Sequence, residues 1–251
     1  MISFSLRSVA AAGAALVFSA SVFAQTAIIQ KARAYLGTEA ALENVKSIHF
    51  TGTITSADPA DAKKQITSAI DIIFQKPDQH RIVTKTPKIV ETYALDGYEA
   101  WQRVEDIADP SKFRQVVLGA ETVRRLRANT WQSLYWYRGI EKVGGRIEVG
   151  EPTTIDGVAC QRVAFIHGPN IIYVRCFDQN TGRLVLTETE TGATIKEEGE
   201  ITVEGIRFPK SIITRSKAGA PKPTVVTITF EKITLNENFP ASIFAYSLGG
   251  K

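Results

Sequence analysis

The sequence lacks the marks of a catalyst. It has only three histidines and two cysteines, with no GxSxG, HExxH, P-loop or dinucleotide-binding motif. No enzyme class, catalytic residue or cofactor is therefore expected. A zinc site would require about four ligands at a recognised spacing. His167, between Cys160 and Cys176, does not complete one, and a CxxC redox motif is also missing. His49 falls on the polar side of an alternating segment and His167 in a turn, so each is expected to be solvated. Glu188 and Glu190 share one side of a strand, a spacing paired carboxylates could use. The threonines around them fit a solvent-facing hairpin better.

A surplus of one charge is missing too. Lys and Arg number 30 against 26 Asp and Glu, a formal net charge of +4 spread along the chain. That balance predicts neither a nucleic-acid partner nor strong attraction to a membrane. Arg124, Arg125 and Arg127 could meet an anionic headgroup, or form a solvated helix face. Past the N-terminus there is no long apolar run. In MISFSLRSVAAAGAALVFSASVFAQ, Arg7 precedes the apolar stretch 9–17, and small residues lead to Ala24. This is the layout of a secretory signal cleaved after Ala24, and the run falls short of the ~20 residues that span a bilayer. No cysteine stands near the cleavage point for lipid attachment. Residues 25–251 are expected to be one soluble domain in an exported compartment.

What the sequence does have is alternation. After a helical pattern through Ile28, Ile29, Ala32, Tyr35 and Leu36, broken at Gly37, strands dominate. In SIHFTGTITS, Ile48, Phe50 and Ile54 share one face, while His49, Thr51, Thr53 and Thr55 share the other. QITSAIDIIF alternates in the same way. Further strands are predicted at 80–85, 89–95, 99–105, 158–166, 171–178, 183–190, 193–204, 206–216 and 224–235. The apolar phase slips between Phe230 and Ile233, which predicts a bulge. Residues 109–137 interrupt with a helical pattern through Phe113, Val116, Val117, Ala120, Val123 and Leu126. About eleven strands with short connections predict a mainly β fold, an antiparallel sheet curved into an incomplete, half-open barrel. An N-terminal helix and the mid-chain helix would close its mouth.

Two features raise sharper questions. If Ile166 faces Asn170 across His167-Gly168-Pro169, Cys160 and Cys176 face each other at about 4.5 Å between Cα atoms, close enough for a disulfide. A two-residue loop would put them out of step. In an exported protein a structural staple is the simplest expectation. The second feature is WQSLYWYRG, where Trp131, Leu134, Tyr135, Trp136 and Tyr137 crowd one helix end. They could plug the sheet, or form a lid over an apolar cavity.

Several segments resemble the LolA/LolB-like superfamily of periplasmic lipoprotein-sorting proteins. ARAYLGTEAALENVKSIHFTGTI (32–54) is similar to that family's opening helix and first strand, and LDGYEAWQ (95–102) to its Asp-Gly turn followed by Trp. YVRCFDQNTGRLVLTE (173–188) resembles its strand, turn and strand unit. GIRFPKSI and ITLNENFPASIFAY resemble its late Phe-Pro strand and its ending. The resemblance implies a non-enzymatic periplasmic carrier that buries acyl chains of lipoproteins or lipids, with membrane-bound donor and acceptor proteins as partners and no nucleic acid. A sensor module that binds a partner protein is the alternative on this fold. The implied cavity draws on Phe50, Ile72, Phe74 and Trp101, with Trp131, Leu134 and Trp136 from the lid. Arg81 and Arg103 are candidates for the arginine that holds the family's lid closed.

Overall fold

The computed structural model describes residues 27–58 and 64–247; the expected signal, residues 1–24, lies outside the described residues. Residues 27–36 form helix α1, which stops at Gly37. A Cβ on Gly37 would stand 2.8 Å from the Gly205 carbonyl, so the close approach there requires glycine. Thr38 then caps α2 (Glu39–Asn44), its side chain accepting from the Ala41 N–H, with Glu39 in the first turn where the helix dipole favours an acid.

The first half of the sheet is a meander: β1 (Ser47–Ala57), β2 (Gln65–Gln75), β3 (Gln79–Lys85), β4 (Ile89–Asp96), β5 (Glu99–Asp106) and β6 (Phe113–Val117). Helix α3 (Ala120–Leu134) follows. The chain returns through β7 (Arg146–Ile155), β8 (Val158–Gly168), β9 (Ile171–Asp178), β10 (Leu184–Thr189) and β11 (Thr194–Glu198). Then come β12 (Ile201–Val203), β13 (Ile206–Phe208), β14 (Ser211–Arg215) and β15 (Val225–Leu235). Thirteen strands join one large curved antiparallel sheet in the order β6-β5-β4-β3-β2-β1-β15-β14-β11-β10-β9-β8-β7, and β12 and β13 pair separately. β6 and β7 are free edges, so the sheet does not close into a barrel.

The strand count exceeds the expected eleven for physical reasons. Pro209 has no N–H to donate, so the predicted strand 206–216 breaks into β13 and β14. Gly199, with φ of 66°, divides β11 from β12. Residues 113–117, read as helix, instead extend the sheet beside β5, and α3 begins only after Gly119. Edge pairing supplies backbone hydrogen bonds that a helical reading of five residues overlooked.

Directly paired residues share a face, so the ladders sort the side chains. Phe50 pairs with Ile72 and Ile72 with Ile82, while Ile48 pairs with Phe74 and Phe74 with His80. These line the inner face, which α3 covers through Leu134 and the adjoining Trp136. On the outer face His49 pairs with Ile73, Ile73 with Arg81, Arg81 with Ala94 and Ala94 with Trp101. The predicted bulge is present: Thr51 faces Lys232 and Gly52 faces Phe230, leaving Glu231 as the extra residue. It keeps both Phe230 and Ile233 buried with Phe50, where each large apolar side chain contributes about 1.5–3 kcal/mol.

The expected disulfide is a correction. Ile166 faces Ile172 and Gly168 faces Ile171, with His167 bulged out of the ladder. Cys176 consequently faces Arg162 and Cys160 faces Asp178, a slip of two residues from the assumed register. The cysteines are diagonal neighbours, some ~7–8 Å apart at Cα and beyond easy bridging. Both are free and buried, packed with Val185 on the outer face.

Candidate functional site

Between α3 and the inner face lies a cavity of about 360 Å³. Its apolar wall comes from Ile48, Phe50, Ile72, Phe74 and Ile82 at the start of the sheet, and from Phe208, Ile212, Ile228 and Phe230 opposite. Phe50 anchors that wall, with ring centroids 4.6 Å from Phe230, 5.8 Å from Phe208 and 6.3 Å from Phe74. The far wall, on β9 to β11, carries Tyr173, Arg175, Thr187 and Glu197. The ladders place them together, because Arg175 pairs with Thr187, Thr187 with Ile195, and Ile195 neighbours Glu197 by two. One end of the cavity is therefore hydrocarbon and the other polar.

The roof is the end of α3 and the turn after it. Trp136 and Tyr137 have φ of 50° and 70°, a left-handed conformation that costs non-glycine residues about 1–2 kcal/mol each. The turn drives both side chains into the protein, where the Trp136 indole donates to the Leu42 carbonyl at 2.9 Å. Arg33 holds this turn. It is buried, donates to the Trp136 carbonyl at 2.8 Å, and grips the Glu39 carboxylate through Nε and Nη2 at 2.9 and 2.5 Å. The same pairing depresses the Glu39 pKa, the Arg33 hydrogen bond being the largest cause. Burial pushes the Tyr137 phenol up to about 12.

Of the expected site residues, Phe50, Ile72, Phe74 and Trp136 meet at the cavity. Leu134 is fully buried beneath the roof in the same core but does not line the space. Trp131 turns the other way, onto Phe165 and His167 with Ile28 and Ile29 of α1. It borders two open clefts of about 640 and 710 Å³ outside the roof. Trp101 is a correction. It lies on the outer face because it pairs with Ala94 and Val117, and its indole donates to the Phe244 carbonyl at 2.8 Å. There the chain's last described residues cross the sheet: Ser47 donates to the Glu237 carbonyl, His49 bonds Glu237, Gln75 bonds Phe239 and Gln115 donates to the Ser247 carbonyl. Arg81 and Arg103 are outer-face residues too, Arg103 pairing with Glu105, so neither reaches the roof.

Sequence reasoning missed Arg33 and Arg175, and both had signals. Arg33 lies one step from Ala32 and four from Ile29, on the buried side of α1. Arg175 shares the parity of Tyr173 and Phe177 in an alternating strand, so it had to point inward with them. His167 is not solvated either. It bonds Gln132 of α3 at 2.7 Å, and burial pushes its pKa down to about 4.

Among the described residues, no group of three or more His, Cys, Asp or Glu could hold a metal ion, and no helix is long and apolar enough to cross a membrane. No family model and no curated sequence matches the chain. Solved structures do. A LolA superfamily protein from Nitrosomonas europaea is similar with a TM-score of 0.57 at 13% identity, covering 88% of this chain and 97% of that one. A DUF1329 family protein from Desulfovibrio piger gives 0.56 at 10% identity, with 88% and 97% covered. A domain described as outer membrane lipoprotein-sorting, from Vibrio parahaemolyticus, gives 0.56 at 11% identity, with 86% and 95% covered. The chain has the LolA-like fold. At these identities the likeness speaks to fold alone.

Proposed function

We propose that residues 25–251 form a single exported, periplasmic carrier that buries an acyl chain of a lipoprotein or lipid beneath α3 and passes it between envelope membranes. The observation that carries this reading is the cavity beneath α3 with its wall of Phe50, Ile72, Phe74, Phe208 and Phe230. Each buried methylene contributes about 0.8 kcal/mol, so even a partly inserted chain binds usefully. Helix α3 and the turn at Trp136 and Tyr137 act as the lid, which opens when Arg33 releases the Trp136 carbonyl. No bond is made or broken, so the cycle is one of uptake and release, with donor and acceptor proteins at the two membranes.

The test is native mass spectrometry on the chain exported through its own N-terminus, followed by titration with a fluorescent acyl probe. Co-purified acylated mass and probe uptake are expected. Trp136→Ala should weaken uptake, whereas Trp101→Phe, altered on the other face, should not. A bare protein that refuses every aliphatic probe would refute the carrier and turn the search to a protein-binding sensor.

A further inference from the structure

The cavity has a property that a simple hydrocarbon slot would not need. Arg175 stands in its wall, and a guanidinium stays charged at any physiological pH. Arg175 is half-buried, and withdrawing its charge from water is costly unless it is paired. Yet Arg175 forms no salt bridge among the described residues, and its Nε is buried without a hydrogen-bond partner. It lies over the Tyr137 ring at 4.8 Å and the Phe165 ring at 5.6 Å from the guanidinium carbon, and its charge acts on the Tyr137 hydroxyl and the Glu197 carboxyl, lowering the pKa of both against the effect of burial. Gln132, from the lid above, also lines the cavity and leaves its buried Oε1 unpaired.

We propose that Arg175 receives the carboxylate of a single-chain aliphatic acid, whose tail runs along the inner face toward Phe50 and Phe74. This rests on the acyl-binding reading above and names the headgroup. Arg175 on β9 and Phe50 on β1 are five strands apart in the sheet order, roughly 24 Å along the sheet at about 4.8 Å per strand, a span suited to an extended aliphatic chain. A guanidinium presents two parallel N–H groups that match a carboxylate fork. The cavity of about 360 Å³ is at the small end for ligand pockets, which favours one chain over several. Glu197 is the natural competitor for Arg175. It faces the same cavity without forming an ion pair with Arg175, and burial raises its pKa by more than the Arg175 charge lowers it, so it only partly offsets the cation. The Tyr137 and Tyr173 phenols stay protonated for the same reason and add hydroxyls to the polar end.

The experiment compares palmitic acid, hexadecanol and a lysophospholipid as displacers of the fluorescent acyl probe from the wild-type chain. The acid is expected to bind at least about tenfold more tightly than the alcohol, the worth of a charge-assisted hydrogen bond to a half-buried partner. Arg175→Gln should remove that discrimination. Acid and alcohol binding equally to wild type would leave the acyl cavity standing and overturn the headgroup, making Arg175 a structural cation packed on Tyr137 and Phe165. Tighter binding of the lysophospholipid than the acid would overturn the carboxylate in favour of phosphate. Failure of all three to bind would overturn this inference together with the carrier reading. The wild-type comparison stands whether or not the variant folds.

Discussion

Replacing His80 by leucine should make the protein more resistant to acid. His80 is buried on the inner face, stacked on Phe74 with ring centroids 4.3 Å apart, and neither ring nitrogen has a partner. Burial alone pushes its pKa down to about 3. An unfolded histidine titrates near 6.5. Between those values the unfolded chain binds the proton and the folded one does not, so stability falls as pH falls. The loss begins near pH 6.5 and continues to about pH 3. At pH 5 the ring is about 1.5 pH units below its unfolded pKa, a loss of about 2 kcal/mol relative to neutrality, at 1.36 kcal/mol per unit. Leucine leaves no orphaned donor or acceptor, and it faces Leu95 across the ladder. Urea unfolding of wild type and His80→Leu at pH 7, 6 and 5 isolates the effect, because the lowered carboxylates and His167 titrate in both proteins and cancel. The gap should widen in favour of the variant by about 2 kcal/mol from pH 7 to pH 5. A constant gap would refute the reasoning, since it would mean that the buried ring accepts a proton as readily as a free one.

Three further outcomes are expected. His49 has the opposite sign: burial opposes its charge, but bonds to Asp71 at 2.9 Å and Glu237 at 2.7 Å outweigh that and raise its pKa. Its contribution is full below pH 6.5 and lost as pH rises through the raised value. In the same urea titration, wild type should therefore exceed His49→Gln most on the acid side of neutrality, the gap closing at higher pH. Gly52→Ala should lose about 3 kcal/mol of stability in urea melts, because a Cβ there would stand 2.0 Å from the Thr229 carbonyl oxygen, opposite the bulge. Cys160 and Cys176 should take two alkyl adducts when the chain is denatured without reductant and analysed by mass spectrometry; an unmodified mass would restore the disulfide.

The alternation that made the sheet legible was local: β1 and β2 could be sorted into faces from Ile48, Phe50, Ile70, Ile72 and Phe74 alone. The bulge at Glu231 was legible for the same reason, as a slip in that alternation. Which face a given strand turned inward was a different problem. Trp101 and Ala100 are both buried, one on each face, because β5 is covered on both sides. Periodicity cannot orient a strand that is apolar in both directions. The cysteine register failed because the turn falls at Pro169 and Asn170 and not at residues 167–169, and the bulge at His167 takes back only one residue of that shift. Arg175 was passed over because a lone arginine in a strand reads as solvated, and its inward parity counted only once the curvature of the sheet was known.

The two faces of this sheet are covered in different ways, and the difference bears on what can move. On the outer face, Phe244 is fully buried and Trp101 nearly so. Lifting that segment would expose aromatic surface worth several kcal/mol, on the order of 1.5–3 for each such side chain. On the inner face, much of the attachment of α3 is polar and peripheral. Arg125 reaches Glu190 and the Asn170 carbonyl, Arg127 reaches Asp78 and the Gly97 carbonyl, Tyr135 donates to the Pro77 carbonyl, and Gln132 bonds His167. Bonds of this kind, some exposed and some partly buried, contribute about 0.5–1.5 kcal/mol each, and surface ion pairs less. The apolar loss on opening falls on Val123, Trp131, Leu134 and Trp136, of which Trp136 lines the cavity. With α3 as the proposed lid, an aliphatic chain entering the cavity would replace only the contacts of Trp136 as α3 lifts, and the exposure of Val123, Trp131 and Leu134 would oppose opening.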